Sequence, residues 1–246
     1  MTNIQDVYNW YLNLKADEFK EKKKKDKGLF SASQAGSCFK KQYYMVNNFP
    51  EEPINDNAKA ILRLGTIVHK EFEECVIKWK NLSSNIEINE EYKTEYKIDI
   101  PKLNVRGHLD IIVIDHKSKI IKIIDLKTIN DWSWQFKFNK KKKKKPSTHY
   151  YLQVSTYVLG IKEEYPDYIY EMSLLWYNKN NSNMKEQPID PMWEYEAEIY
   201  WSDLNEFIEE DNDIKSIRPF SSPSVPFEEW QCKYCNYHER CTSDSY

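Results

Sequence analysis

Two runs rich in isoleucine and valine, separated by a short polar break, constrain the fold of this chain most strongly. Both runs lie within residues 107–128, and the break occupies residues 116–119. A strand, a short polar loop and a second strand are the signal of a β-hairpin. With the turn centred in the break, paired residue numbers in the antiparallel ladder sum to a constant. This register places Asp110 opposite Asp125.

Opposed acidic residues at the end of an apolar hairpin require a physical reason. Cβ atoms directly opposite one another lie about 4.5–5.5 Å apart, and like charges there destabilise a sheet. A hard divalent cation such as Mg²⁺ removes the conflict because it binds carboxylate oxygens. Lys127 lies two residues past Asp125 and faces the same side, whereas Leu126 points into the core.

Two acids and a lysine on one face suit metal-assisted hydrolysis of a phosphodiester. The carboxylates would hold the metal, and the lysine would steady the attacking water or the developing charge. The alternative is that Asp110 and Asp125 cap strand ends and that Lys127 is a solvated edge charge.

Composition narrows the class of protein. The 246 residues allow one large domain or one domain with a small appendage, and 40% hydrophobic with 30% charged residues suits a soluble globular chain. The net charge of −3 does not indicate nucleic-acid binding by itself. With no Walker-type or GxGxxG loop, we expect no ATP or dinucleotide site. No apolar run approaches the roughly 18 residues of a membrane span, and no signal peptide is evident. A cytoplasmic protein is expected, in the host cytoplasm if a phage encodes it.

Periodicity predicts helices and strands in an order typical of an α/β domain with a mixed sheet flanked by helices. Ser31-Ala32-Ser33 is expected to cap a helix that contains Cys38, and Ser202 to cap the last helix. The predicted helices are 4–24, the one after residue 33, 58–80, 131–138, 147–164 and 202–213. The predicted strands are 86–100, the two of the hairpin, 168–178 and 192–200.

Two pairs of polar residues share helix faces. His69 and Glu73 are four residues apart, as are Gln153 and Tyr157. His69 is either a boundary residue of the core or a metal ligand. As a ligand, it could be oriented by Glu73, or Glu73 could add a carboxylate to the site. Gln153 and Tyr157 are either packing residues or a polar face directed at the hairpin.

The order of four motifs resembles the PD-(D/E)XK nuclease superfamily, and within it the RecB-like branch. The motifs are residues 65–69 with Glu73 for GxxxHxxxE, 107–110 for GxxD, 125–128 for (D/E)xKT and 153–157 for QxxxY. The resemblance implies a restriction-endonuclease-like core. It also implies that Mg²⁺ or Mn²⁺ is held by His69, Asp110, Asp125 and the carbonyl of Leu126. Lys127 would then assist the water, and Gln153 and Tyr157 would contact substrate or order the site. The second acid is Asp125, where many relatives have glutamate.

The C-terminal cysteines form a CxxC pair followed by a third cysteine after five residues. With His238 or Cys38 they could complete a tetrahedral zinc site, and four thiolates could equally ligate a cubane cluster. The segment from Ser31 to Cys38 is similar to the opening of the iron–sulfur nucleases among CRISPR-associated exonucleases and AddB. That resemblance implies a 4Fe–4S cluster, with Zn²⁺ as the alternative, on Cys38, Cys232, Cys235 and Cys241. Cys75 lies on the apolar stripe of its helix and is expected in the core.

These patterns together predict a metal-dependent DNA nuclease, and an exonuclease on single strands or DNA ends in particular. The alternatives are a structure-selective or nicking endonuclease and a catalytically silent DNA-binding subunit. A helicase, recombination or CRISPR-adaptation partner is possible, and a membrane is not expected. The expected division is an N-terminal helical region (1–56), a nuclease core (57–215) and a cysteine-stapled tail (216–246).

A run of six lysines lies between the hairpin and the helix of Gln153. Its members are Lys140, Lys141, Lys142, Lys143, Lys144 and Lys145. They form either a solvated loop or a contact to DNA phosphates. Trp132, Trp134 and Phe136 just before them could stack on unpaired bases or pack in the core.

We predict that a neutral Gly/Ser loop in place of these lysines weakens DNA binding and flattens its salt dependence. Each lysine that neutralises a phosphate releases a counterion, so the slope should fall by about 0.7 for every single-strand phosphate that is no longer neutralised. Binding titrations at several salt concentrations measure the affinity and this slope. If both were unchanged, the contact between the lysines and DNA phosphates would be refuted.

Overall fold

The computed structural model describes residues 3–23, 29–83, 90–139, 147–210, 214, 217–222 and 227–244. Eight helices occur in these ranges: α1 (Ile4–Lys23), α2 (Phe39–Val46), α3 (Asp56–Ser83), α4 (Asp131–Phe138), α5 (Thr148–Glu164), α6 (Trp193–Glu209), α7 (Trp230–Lys233) and α8 (His238–Ser243). The six strands are β1 (Phe30–Ser31), β2 (Glu90–Ile100), β3 (Val105–Asp115), β4 (Ile120–Ile129), β5 (Ile169–Asn178) and β6 (Met184–Ile189).

The six strands form one mixed sheet in the order β1-β3-β4-β5-β6, and β2 pairs with β3. β1 runs parallel to β3 and β4 runs parallel to β5, whereas the β2–β3, β3–β4 and β5–β6 pairs are antiparallel. Two helices, α4 and α5, connect the parallel strands β4 and β5. The α/β fold with a mixed sheet and flanking helices, expected from the sequence, is therefore confirmed.

The hairpin has the register that the sequence predicts. Ile111 pairs with Ile124, and Asp115 pairs with Ile120. Ile112 and Ile114 of β3 and Ile121 and Ile123 of β4 are fully buried at alternate positions because this face of the hairpin packs into the core. Leu109, on the opposite face of β3, is fully buried as well.

The core joins the sheet to residues from both ends of the chain. Phe30 and Phe39, from the first 56 residues, belong to the same buried cluster as Tyr200 and Trp201 of α6. Trp201 stacks on Phe30 with ring centroids 5.8 Å apart, and its indole nitrogen donates to Thr156 Oγ1 at 2.8 Å. The N-terminal segment thus packs directly on the sheet and on α6.

The prediction that residues 192–200 form a strand is wrong, whereas the helix predicted after Ser202 is present as the second half of α6. The segment expected as strand 192–200 is the first half of α6, and Ser202 lies inside that helix rather than at its start. Ala197, Trp201 and Leu204 are buried at helical spacing. Apolar and polar residues alternate as in a strand only within the short stretch 192–200, which is why the sequence favoured a strand there. The actual strand, β6, was missed because its sequence MKEQPI carries no apolar run.

Two further helix predictions need correction. α2 begins at Phe39, with Cys38 as its N-cap, and Ser31 precedes a short 3₁₀ turn without a side-chain cap. Cys75 is exposed rather than in the core, and so are several residues of the predicted stripe on α3, among them Ile61 and Trp79. A 28-residue helix is about 42 Å long. α1 and the sheet cover only part of it.

In the described ranges, no helix combines the length and the apolar character that crossing a bilayer requires.

Close packing of α5 on β2 depends on Gly160. A Cβ atom built there overlaps Cγ2 of Ile98 and lies 3.2 Å from Ile100 Cγ1, and both neighbours are buried and β-branched. We predict that Gly160→Ala destabilises the fold by about 1–3 kcal/mol because overpacking costs more than the helix propensity gained.

Gly65→Ala is the matched control for this change. Gly65 also lies in a helix, α3, but its added Cβ meets Thr128 Oγ1 at an ordinary 3.5 Å. That variant should be neutral or more stable by up to about 1 kcal/mol. Urea unfolding of both variants measures the difference, and equal stabilities would contradict the packing argument.

Candidate active site

The two aspartates meet where β3 and β4 separate. The last pair of their ladder is Ile111 with Ile124, so the next position of the same register joins Asp110 and Asp125. There, the backbone N–H of Leu126 donates to Asp110 Oδ2 at 2.7 Å. A side-chain carboxylate thus takes the place of a ladder acceptor, which fixes Asp110 beside the second acid.

Asp125 is a buried carboxylate, with 1% of its surface exposed. Its Oδ1 accepts a hydrogen bond from Gln153 Nε2 at 3.0 Å, and its Oδ2 lies 2.8 Å from Lys127 Nζ. Burial raises the pKa of Asp125 to about 6, repulsion from Asp110 adds to the rise, and Lys127 opposes it. The charge on Asp125 therefore depends on neighbouring cations.

The ammonium of Lys127 is enclosed by three groups. Besides Asp125, it donates to Gln153 Oε1 at 2.9 Å and lies 4.6 Å from the ring centre of Tyr150. Burial acts to lower the pKa of Lys127, but attraction to Asp125 and to Tyr150 outweighs it and the pKa is raised. Lys127 therefore stays a cation on the same face as Asp125, as strand alternation predicts.

Helix α5 supplies the groups that connect these charges. Gln153 is 6% exposed, and its amide nitrogen also donates to the Tyr157 hydroxyl at 2.9 Å. Tyr157 is 2% exposed. Burial and the nearby Asp125 raise its pKa well above the ordinary value, so it remains a neutral phenol. Gln153 thus bridges Lys127, Asp125 and Tyr157 with one planar amide.

His69 reaches the site from α3. Its Nδ1 lies 3.4 Å from Asp110 Oδ1, and about a third of its side chain (33%) is exposed. Burial acts to lower the pKa of His69, but the hydrogen bond and charge of Asp110 outweigh it, so the pKa is raised. The structure pairs His69 with Asp110, whereas the sequence suggested Glu73 as the neighbour that would orient it.

The donor chemistry of this cluster fits a divalent cation. Two carboxylates and an imidazole converge, and oxygen-rich sets with charged ligands suit Mg²⁺ or Mn²⁺. In the described ranges, no three His, Cys, Asp or Glu residues already have the spacing of a complete metal site. Lys127 and the N–H of Leu126 lie against the carboxylate oxygens instead, and they offset the negative charge.

Sequence reasoning missed one acidic residue near the site. The ladder of β2 and β3 pairs Thr94 with Ile111 and Tyr96 with Leu109, which leaves Glu95 opposite Asp110 at a gap in the ladder. Glu95 has a left-handed backbone (φ 48°), uncommon for this residue type. Burial, Asp110 and Glu73 raise its pKa. Applying the register argument to the turn before Val105 would have found it.

A second cluster holds four of the five cysteines. Cys38, Cys232, Cys235 and Cys241 line one cavity of about 180 Å³. Burial raises the pKa of all four thiols, and repulsion from another cysteine adds to the rise at Cys38, Cys232 and Cys241. Lys40, fully buried in the same wall, acts to lower the pKa of Cys241. Thiols and a buried cation suit an anionic metal–thiolate centre.

The cysteine-bearing tail is docked by protein contacts of its own. Gln231 accepts from the N–H of Cys38 at 3.1 Å and donates to the carbonyl of Gly36 at 3.2 Å. The Tyr44 hydroxyl donates to Asp244 at 2.9 Å. The described part of the tail is therefore held by contacts of the protein itself and does not depend on a metal centre alone.

The lysine run predicted to contact DNA falls outside the residues that the structure describes. It comprises Lys140, Lys141, Lys142, Lys143, Lys144 and Lys145, between the end of α4 and the start of α5. The contact to DNA phosphates therefore stays a prediction from the sequence.

A family model and several solved structures are similar to this chain. The model of the PD-(D/E)XK nuclease superfamily matches residues 64–242. A search of curated proteins found no match. The fold is similar to the crystal structure of SSO0001, with a TM-score of 0.53, 17% identity, and 98% of this chain and 99% of that chain covered.

Two exonuclease structures are also similar. A putative exonuclease from Eubacterium rectale gives a TM-score of 0.50 and 13% identity, with 82% of this chain and 87% of that chain covered. LHK-Exo in complex with dAMP, an alkaline exonuclease from Laribacter hongkongensis, gives 0.43 and 16%, with coverages of 75% and 89%.

Proposed function

Because the chain belongs to the PD-(D/E)XK nuclease superfamily, we propose that it is an Mg²⁺- or Mn²⁺-dependent deoxyribonuclease of the RecB-like branch. It acts as an exonuclease on single strands or DNA ends. The observation that carries this proposal is the cluster in which Lys127 and Gln153 contact buried Asp125 while Asp110 lies at the adjoining strand position. Structural capping of strand ends does not require a lysine and an amide around a buried acid.

His69, Asp110, Asp125 and the carbonyl of Leu126 would hold the ion. When bound, it supplies Lewis-acid polarisation of a phosphoryl oxygen and lowers the pKa of a water molecule. The two aspartates fit this role because each is fixed by donors from the protein, Leu126 N–H for one and Gln153 for the other.

Lys127 provides the positive charge for the transition state. As a buried ammonium beside the aspartates, it would steady the attacking water and the negative charge that develops on the phosphoryl oxygens. Gln153 and Tyr157 would keep Lys127 and Asp125 in position, because Gln153 forms hydrogen bonds with Lys127, Asp125 and Tyr157. These two α5 residues would act chiefly by ordering the site.

The exonuclease assignment draws support from the similar putative exonuclease of Eubacterium rectale. Linear and covalently closed circular single-stranded DNA, each with Mg²⁺ or Mn²⁺ and with an EDTA control, separate the possibilities. An exonuclease degrades only the linear strand. Cutting of the circle would indicate a structure-selective or nicking endonuclease. Absence of cleavage from protein with a full metal complement would indicate a silent DNA-binding subunit.

We predict that Asp110→Ala and Lys127→Ala each reduce cleavage at least about 100-fold while the protein stays folded. Lys122→Ala is the matched control, because Lys122 lies on the same strand as Lys127 but pairs with Glu186 at the surface. Initial cleavage rates and thermal unfolding are measured together. Near-normal rates in either site variant would contradict the assignment.

We further propose that the cysteine cavity holds a 4Fe–4S cluster, with Zn²⁺ as the alternative. Its ligands are Cys38, Cys232, Cys235 and Cys241, and His238 lines the same cavity as a further donor for zinc. Buried Lys40 would offset the negative charge of the thiolates. The centre has a structural role that adds to the existing contacts between the tail and residues 36–52.

Cys232→Ala should remove most of the bound metal and lower the melting temperature of anaerobically purified protein. Cys75→Ala should change neither, because Cys75 is an exposed cysteine of α3. The bound metal is measured by the visible absorbance of iron–sulfur centres and by chemical analysis of iron, sulfide and zinc. Full metal content in Cys232→Ala would show that the ligand set is wrong.

A further inference from the structure

Helix α4 divides its four aromatic residues between two faces. Trp134 and Phe138 pack towards the core, with ring centroids 4.7 Å apart. Trp132 and Phe136 face outward and are 72% and 38% exposed. The sequence left open which of these rings are packing residues, and their i, i+4 spacing separates the two pairs.

The two outward rings stack on each other. The rings of Trp132 and Phe136 are stacked, with centroids 5.7 Å apart and an interplanar angle of 10°. An exposed tryptophan presents a large apolar area to water. Because Trp132 is largely exposed, the pair leaves an open aromatic face on which a further planar ring could continue the stack.

The start of α4 is rigidly held. The side chain of Asn130 caps the helix by accepting from Ser133 N at 2.8 Å, and Asn180 accepts from Asp131 N at 2.8 Å. The side chain of Asn178 donates to Asp131 Oδ1 at 2.9 Å. These bonds tie the helix to the end of β5, so Trp132 lies on a fixed part of the scaffold.

The aromatic surface lies close to the candidate active site. α4 directly follows β4, and Trp132 is five residues beyond Lys127. Five residues span at most about 18 Å even when fully extended. A strand whose phosphate lies at Lys127 therefore has neighbouring nucleotides within reach of Trp132.

The charges around α4 favour an anionic partner. Lys137 Nζ lies 4.2 Å from the ring centre of Trp176, and Lys185 Nζ lies 4.7 Å from that of Phe138, so two cations accompany the helix. In the sequence, the lysine run begins two residues after Phe138. An apolar protein partner would gain little from these charges, whereas a polyanion would be attracted by them.

We propose that Trp132 and Phe136 form a stacking surface for an unpaired nucleobase of single-stranded DNA bound at the active site. This inference rests on the proposed nuclease function and specifies its substrate class. Bases in a duplex are stacked on each other and do not present a free face, so the surface selects unpaired strands. Base–aromatic stacking is tolerant of sequence, because every base has a π-face.

The test is a thermodynamic cycle that compares the DNA affinities of wild-type and variant protein on two different strands. The full chain is used, and EDTA is present to prevent cleavage. One strand is oligothymidylate, and the other has the same length and phosphates but abasic residues throughout. Trp132→Ala should weaken binding of oligothymidylate about 5- to 150-fold and leave binding of the abasic strand nearly unchanged. Trp132→Phe should retain most of the affinity.

Trp10→Ala is the matched control, since Trp10 is a 63% exposed tryptophan of α1. It should match the wild type on both strands. Equal losses on both strands, or none on either, in folded Trp132→Ala would overturn the stacking surface. The parallel cleavage assay keeps the two proposals distinct. If the wild-type protein cleaves DNA but the cycle fails, only the stacking surface is refuted. If the cycle succeeds but no cleavage occurs, only the nuclease function is refuted.

Discussion

The electrostatic conflict at Asp125 governs the arrangement of this protein. A buried carboxylate lies beside a second acid at the end of a hairpin, and each neighbouring element supplies a group that makes this tolerable. β4 contributes Lys127, α5 contributes Gln153, and the N–H of Leu126 satisfies Asp110. Removing one partner from a buried charge costs more than the pair itself contributes, so these elements depend on one another.

The same site explains why α5 crosses the sheet where it does. Gln153 and Tyr157 must reach the edge where β3 and β4 separate, and close packing at Gly160 against Ile98 allows that approach. His69 precedes the hairpin in the chain and lies on α3, a helix of which a large part is exposed. A PD-(D/E)XK nuclease core is thus built by a few contacts between distant segments rather than by one continuous motif.

The cysteine cavity is a second place where distant segments meet. Cys38 precedes α2, whereas the other three cysteines belong to the tail, and hydrogen bonds through Gln231 and Tyr44 join these regions directly. Trp230 in the tail also lies 5.6 Å from the ring of His149 in the first turn of α5. The tail therefore contacts the helix that carries Gln153.

The sequence by itself determined the hairpin register, the pairing of Asp110 with Asp125, and the common face of Asp125 and Lys127. These follow from the two-residue alternation of strands and from a short turn, which are local rules. The tertiary structure alone decided which apolar residues of α3 are covered and that residues 192–200 are helical. It also decided which rings of α4 face water. Those outcomes depend on what packs against each element, and no local pattern contains that information.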